Sequence, residues 1–355
     1  MLRVKTALIT GITGQDGAYL SRLLLDKGYV VHGLVPRCEV DNKVRLARIL
    51  GHQNLYLHDG DLTDSGSLQR VIYQCHPQEI YNLAAQSHVK CSFDMAEYTA
   101  NVNALGVLRL LETMRHLPET PRFYQASSSE LFGNAPAPQS EQTPMSPCSP
   151  YAAAKLYAYH MVQLYRDMHG FYACNGILFN HESPWRGEDF VTRKVTKAVA
   201  EIHVGKRDIL YLGNLDAMRD WGHARDYVAG MWLMLQQDQP DDYVLATGQT
   251  HSVRALTEMA FQQIGMNMEW QGEGTEEVGV DQKTGQVLVR VDPAFYRPCE
   301  VYYLCGDAAK ARQKLGWEPQ ISFEPMVAEM VAADIKRLTS NGENNDDPEF
   351  LKNAA

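Results

Sequence analysis

The segment Thr10-Gly11-Ile12-Thr13-Gly14-Gln15-Asp16-Gly17 constrains this chain more than any other. Its glycines follow a short apolar run, Thr6–Thr10, and precede Ala18–Lys27, where apolar residues recur at helical spacing up to Gly28. Glycine permits a tight turn and a close backbone approach. The first amides of the following helix, with its dipole, then favour an anion. Strand, glycine loop and helix in this order form the pattern that seats the pyrophosphate of a dinucleotide.

The first half continues in the same alternation. Strands are expected at Tyr29–Val35, Leu55–His58, Glu79–Asn82, Arg122–Ser127 and Ala173–Leu178. Helices are expected at Lys43–Leu50, Ser65–His76, Asn101–His116 and Tyr151–His169. Such spacing predicts an α/β fold, a Rossmann-type doubly wound parallel sheet covered on both faces. Beyond residue 180 the regularity weakens. A hairpin over Thr275–Val289 and helices at Val253–Ile264 and Pro325–Leu338 point to a smaller α/β substrate-binding domain over 181–339, with some elements returning to the sheet. Residues 340–355 read as a polar tail.

With 45% hydrophobic and 21% charged residues over 355 positions, the composition is globular. A net charge of -10 argues against a nucleic-acid partner, so an anionic ligand must be met by a few placed cations. No apolar run approaches the ~20 residues of a membrane span. Seven cysteines lack CxxC spacing and read as reduced thiols of a cytoplasmic protein. With no His/Cys/Asp spacing, a metal site has no support.

After the second strand the first polar residue is Arg37, which favours NADP over NAD because an arginine there accommodates a 2′-phosphate. Asp61 and Leu62, after the third strand, are placed to meet the adenine end. Ser127-Ser128-Ser129-Glu130 follows a strand, and Tyr151 and Lys155 lie four apart on one helix face. A lysine ammonium favours tyrosinate, so Tyr151 is expected to take a proton from a substrate hydroxyl, with Ser128 holding the same oxygen.

These motifs resemble those of the extended short-chain dehydrogenases/reductases and, more narrowly, of the GDP-mannose 4,6-dehydratase family. The likeness covers roughly residues 5–335. It runs through Ala84-Ala85-Gln86-Ser87-His88-Val89, Asn180-His181-Glu182-Ser183-Pro184, Arg193-Lys194, Arg219-Asp220-Trp221-Gly222 and Tyr296-Arg297-Pro298. It implies oxidation at C4 of a GDP-hexose, loss of water across C5 and C6, and return of the hydride to C6, giving GDP-4-keto-6-deoxy-D-mannose from GDP-D-mannose. Glu130 would be the second acid–base group, its side chain sharing a strand face with Ser128. Cofactor contacts would come from Gly11, Thr13, Gly14, Gln15, Asp16, Gly17, Arg37, Asp61, Leu62, Ala84, Tyr151, Lys155, His181 and Arg186. Ser87, Asn180, Lys194, Arg219, Arg297 and Glu300 would hold the GDP-sugar. His88 and His181 also read as packed or hydrogen-bonded histidines, and Arg193 as either structural or facing a neighbouring subunit's cofactor.

Two departures stand out. Serine occupies position 128, where the family usually has threonine. A single Arg37 replaces the paired arginines that reach a neighbouring subunit's cofactor in family tetramers, which leaves a homo-oligomer of dimer or tetramer form. The same fold also carries GDP-heptose dehydratases, nucleotide-sugar C4 reductases and epimerases, and, at the far end, a non-catalytic NADP-binding regulator.

Overall fold

The computed structural model describes residues 4–36, 43–296 and 299–340. The strand β1 (Thr6–Thr10) has Ala7 and Ile9 buried on one face and Leu8 buried on the other. A strand apolar on both faces must be covered on both, which suits a parallel sheet between helix layers. Six further strands join it: β2 (Val30–Val35), β3 (Leu55–Asp59), β4 (Glu79–Asn82), β5 (Arg122–Ser128), β6 (Ala173–Leu178) and β10 (Tyr243–Leu245). Three short strands intervene before the last: β7 (Asn180–Glu182), β8 (Leu210–Leu212) and β9 (Met218–His223). The sheet order is β10-β6-β5-β4-β1-β2-β3, with every pairing parallel.

One face packs on the helices Gln15–Asp26 and Ala224–Met234 through Leu20, Leu24, Tyr227 and Met231. The other packs on Ser65–Cys75, Gly106–Arg115 and Pro150–His169 through Leu68, Val71, Leu110 and Val162. Because β1 is flanked by β2 and β4, the chain leaves on opposite sides there, and a crevice opens beyond Thr10 and Asn82. The Thr10 hydroxyl donates to Asn82 Oδ1 at 2.6 Å and accepts from the Ala84 amide at 3.1 Å, which fixes the two strand ends that bound the crevice.

The later half has its own core, built on Val199, Trp221, Phe261, Val289, Phe323 and Met330. Its antiparallel hairpin pairs Val278–Asp281 with Val287–Val291, displaced by a few residues from the expected span. The Asp281 carboxylate sets the turn by accepting from the Thr284 hydroxyl at 2.6 Å. The described helices include none long and apolar enough to cross a membrane.

Two local expectations are corrected. Lys43–Leu50 is no α-helix: only a 3-10 turn at Val44–Leu46 forms, with Arg45 turned inward to the Trp185 carbonyl at 2.7 Å and the Thr13 carbonyl at 3.2 Å. Across Asn101–Leu105 the helix widens to π geometry. There the Asn103 amide makes paired bonds of 2.9 and 2.8 Å with the Gln86 backbone. Side chains that seek distant partners override propensity in both places.

Arg193 is 5% exposed and ion-paired with Asp334 at 2.6 Å, and it donates to the carbonyls of Pro184 and Arg186. This corrects the reading in which it faces a neighbour's cofactor, since its donors are spent inside the chain. Arg193→Met is expected to lower unfolding free energy by about 3 kcal/mol, because buried Asp334 loses its main ion pair and keeps only the half-buried Arg337 and the Thr196 hydroxyl. A urea midpoint no lower than wild type would remove this pair from the account.

Candidate active site

Gly11 adopts a φ of +69°, and a Cβ there would lie 2.7 Å from the Ala84 amide nitrogen. A Cβ on Gly17 would lie 2.3 Å from the Gly11 carbonyl oxygen. Only glycine lets the loop, the helix and the end of β4 meet this closely. Gly14 caps the helix with no side-chain acceptor, so the first-turn amides remain available to an anion.

Gln15 and Asp16 turn elsewhere. Asp16 pairs with the buried His181 ring at 2.9 Å, and Gln15 accepts from the Ser183 hydroxyl at 2.8 Å. Burial works against the Asp16 carboxylate, but His181 and a further bond from Gln15 hold it below the usual carboxylate range. Burial likewise opposes charge on His181, and Asp16 reverses it, leaving the imidazole above its ordinary value. Each partner thus favours the charged form of the other. Their side chains serve as a strut between the glycine loop and β7.

Around the crevice, Leu62 packs on Gly106 and Asp61 accepts from the Thr63 amide at 2.8 Å. Ser87 is exposed in the loop after β4. Arg37 and Arg297 lie outside the described residues.

The β5 strand ends at Ser128, and Ser129–Phe132 is a 3-10 turn. Glu130 is therefore not on the strand, which corrects the strand-face argument for it. The turn brings it round instead: Ser128 Oγ accepts from the Glu130 amide at 3.2 Å, and the Glu130 carboxylate comes within electrostatic reach of Tyr151. The Pro150–His169 helix starts from Ser149, whose Oγ accepts from the Ala152 amide at 3.1 Å, with Pro150 in the first turn. The buried Ser92 hydroxyl accepts from the Tyr151 amide at 3.2 Å. Ser92 has no motif around it, so the sequence carries no signal for this role.

Tyr151, 8% exposed, is hydrogen-bonded to Ser128. Burial pushes its phenol up to about 12; the Ser128 bond opposes the rise, and Glu130 adds to it. Burial also pushes the Lys155 ammonium down to about 8. Lys155 Nζ donates to the Ala126 carbonyl at 2.8 Å and stands 5.9 Å from the Tyr151 ring centre. The expected lowering of the phenol by Lys155 is thus absent here. Two buried groups that resist charging face each other, and the phenol remains a proton donor until more positive charge arrives.

On the opposite wall the Asn180 Oδ1 is buried without a protein partner. Arg219 and Glu300, both expected at a substrate, meet each other at 3.3 Å. Lys194 sits 3.1 Å from the Phe295 ring centre, and Arg186 sits 3.7 Å from that of Phe190. Burial, with Arg207 and Lys90 nearby, pushes Lys194 down to about 8. Asp220, which the motif gives no role of its own, accepts through its carboxylate from the Thr247, Gly248 and Gly306 amides at 2.8, 2.9 and 3.2 Å. It thereby fixes the strand that carries Arg219. Among the described residues, no group of three or more His, Cys, Asp or Glu side chains is arranged to hold a metal ion.

The sequence pattern of the family described as GDP-mannose 4,6 dehydratase matches residues 8–330. A GDP-mannose 4,6-dehydratase of Sinorhizobium fredii is 58% identical over 342 residues, covering 94% of this chain and 97% of the relative. One from Homo sapiens is 53% identical over 344 residues, covering 94% and 92%. Among solved structures, a dTDP-glucose 4,6-dehydratase from Streptomyces venezuelae, with NAD and TYD bound, superposes with a TM-score of 0.80 at 24% identity, covering 94% of this chain and 97% of that one. RMD from Pseudomonas aeruginosa, complexed with NADPH, gives 0.74 at 20% identity, covering 94% and 100%. At these identities the structural likenesses show the fold.

The Lys155 depression has a measurable consequence. Holding that charge in the folded protein costs about 3 kcal/mol at neutral pH. Between about 8 and 10.5 the unfolded chain keeps the proton that the folded one has lost, so this contribution makes stability rise with pH across that window. Lys155→Met is expected to raise the melting temperature at pH 7 and to flatten the rise above pH 8. A melting temperature unchanged at both pH values would show that the ammonium is well solvated.

Proposed function

The chain belongs to the GDP-mannose 4,6-dehydratase family, and from that premise we propose that it converts GDP-D-mannose to GDP-4-keto-6-deoxy-D-mannose and water. The observation that carries the reading is the meeting of two different acid–base groups at one point: the Tyr151 phenol, bonded by Ser128, and the Glu130 carboxylate beside it. The uncapped helix start and the glycine cradle fit a dinucleotide diphosphate. The Gly11, Gly14 and Gly17 cradle and the first-turn amides would hold the diphosphate of NADP, which would supply the hydride acceptor for C4 and donor for C6 and add positive charge beside the Lys155 ammonium. Arg37 supports NADP over NAD.

In this reading Tyr151 takes the proton of the C4 hydroxyl while Ser128 keeps that oxygen in line. Lys155 stabilises the phenolate through its charge, and its bond to Ala126 fixes its position. The C4 ketone acidifies the C5 hydrogen. Glu130 removes that proton and delivers one to the departing C6 hydroxyl. A phenol and a carboxylate divide the work because an alcohol and an activated C–H need bases of different strength.

The diphosphate falls to Lys194, Arg219 and Arg297, since an acidic chain must meet it with placed cations. Asn180 faces the sugar with an acceptor that has no protein partner, and Glu300 serves the nucleoside ribose. Ser87 lies beside the hexose. Residues 1–180 thus carry the cofactor and the catalytic groups, and 181–339 mainly the GDP-sugar. Exposed apolar side chains on two contacting helices, among them Tyr98, Leu105, Tyr157 and Leu164, support a homo-oligomer. The enzyme is assigned to the cytoplasm, in keeping with its unpatterned cysteines.

Incubation with GDP-mannose and catalytic NADP should give a product lighter by one water, without net reduction of the cofactor. Stoichiometric consumption of NADPH would mark a reductase instead, and an unchanged mass an epimerase. Dehydration of GDP-heptose alone would move the substrate assignment but keep the reaction class. Glu130→Gln should cut turnover by roughly a hundredfold or more while leaving NADP affinity unchanged; wild-type turnover would remove Glu130 from the chemistry. The KM for GDP-mannose should climb above about pH 8 as Lys194 loses its proton, and Lys194→Gln should raise KM below that pH and abolish the climb.

A further inference from the structure

Two of the seven cysteines meet at the mouth of this site. Cys148 immediately precedes Ser149, the cap of the Tyr151 helix, and Cys299 immediately precedes Glu300, the partner of Arg219. The Cys299 thiol shares a side-chain hydrogen-bonding contact with the Cys148 thiol, and the Glu130 and Glu300 carboxylates are within electrostatic reach. The backbone brackets the pair. Asn134 donates to the Glu300 carbonyl at 3.2 Å and accepts from the Tyr302 amide at 3.3 Å. Its neighbour Gly133 comes so close that a Cβ there would lie 2.9 Å from Cys148 Sγ. Cys299 is exposed and Cys148 half-buried, so a small oxidant can reach both, whereas Cys174 is buried in the core.

We propose that Cys148 and Cys299 form a reversible disulfide that ties the start of the Tyr151 helix to the Glu300 segment and suspends turnover. Hydrogen peroxide is the oxidant. One thiolate attacks a peroxide oxygen, giving a sulfenic acid and, after protonation, water; the second thiol then displaces the sulfenic oxygen as a second water. Two sulfur atoms lose two electrons in all, and both thiol protons leave in the waters. Nearby carboxylates favour a neutral oxidant over an anionic disulfide such as oxidised glutathione. Desolvation, the Cys148 thiol and the two carboxylates hold the Cys299 thiol above its usual range, so the reaction quickens as pH rises.

The functional consequence follows from where the two ends sit. One end of the bond is three residues from Tyr151. The other lies in the segment that runs into the short strand Tyr303–Leu304, which pairs with β9 beside Arg219. A covalent tie across the cleft stops these walls from parting to admit a nucleotide sugar or release the product. The effect on turnover rests on the function proposed above; the disulfide itself does not.

The test uses the full-length protein, titrated with hydrogen peroxide, then alkylated and mapped by peptide mass spectrometry without reduction. The expected result is a linked pair of peptides containing Cys148 and Cys299, lighter than their sum by two hydrogens. Most of the turnover on GDP-mannose should be lost in parallel and restored by dithiothreitol. Cys148→Ser and Cys299→Ser should each keep reduced-state turnover and resist peroxide. Alkylation of both thiols at peroxide doses that oxidise the half-buried Cys75, Cys91 or Cys305 would overturn the disulfide. A disulfide formed with turnover unchanged would overturn the switch. If the untreated protein leaves GDP-mannose unaltered, the functional reading fails, while the peptide map still decides the disulfide.

Discussion

A buried ion pair between Asp16 and His181 joins the glycine loop to the strand that leaves the main sheet, and the rest of the site is arranged about it. Either charge alone in that place would be costly, so the two residues specify one arrangement of loop and strand. Gln15 with Ser183 and Arg45 with the carbonyls of Thr13 and Trp185 repeat the same connection on either side. The His181 ring also stacks on Tyr227 at 4.6 Å, which extends the strut into the helix Ala224–Met234. Through these links the loop that presents amides to an anion is set against the wall that carries Asn180. The glycine loop and the Asn180 strand are thereby held by one connection.

The Tyr151–Lys155 pair is governed by burial more than by mutual attraction. Tyr151 and Lys155 are each removed from water, and each is pushed toward its neutral form. A pair poised in this way keeps its proton on the phenol. The Glu130 carboxylate, by contrast, is half-exposed on its 3-10 turn. A phenol out of water and a half-exposed carboxylate, 21 positions apart in sequence, thus stand in two different environments at one point.

Much of the parallel sheet is legible along the chain because its strands are short apolar runs bounded by turns. The spans Thr6–Thr10, Glu79–Asn82 and Ala173–Leu178 form as expected. The glycine loop is equally legible, since φ of +69° at Gly11 and the close approach at Gly17 admit no other residue. Less legible are the elements whose conformation is fixed from a distance. Lys43–Leu50 has helical periodicity, yet Arg45 finds carbonyls across the crevice and the segment stays in turns. The helices Val191–His203 and Ala224–Met234 were not singled out, since the Arg-, Trp- and Asp-rich stretches around them read as loops. Glu130 was placed at the site for the wrong geometric reason, as the strand ends two residues earlier.

What the sequence determined by itself is the set of local necessities. They are a glycine loop between a strand and a helix, a tyrosine and a lysine one helical turn apart, and cations enough to meet a diphosphate on an acidic chain. These depend on backbone sterics, helix pitch and net charge, all of which are local or summed properties. The tertiary structure alone decided which groups are neutral, which are spent on one another and which are left for a ligand. It paired Asp16 with His181, turned Arg193 inward to Asp334, brought Arg219 to Glu300 and set Cys148 against Cys299. Each of these pairings spans more than eighty positions of sequence, and charge state depends on burial and on neighbours in space, which no local pattern of residues encodes.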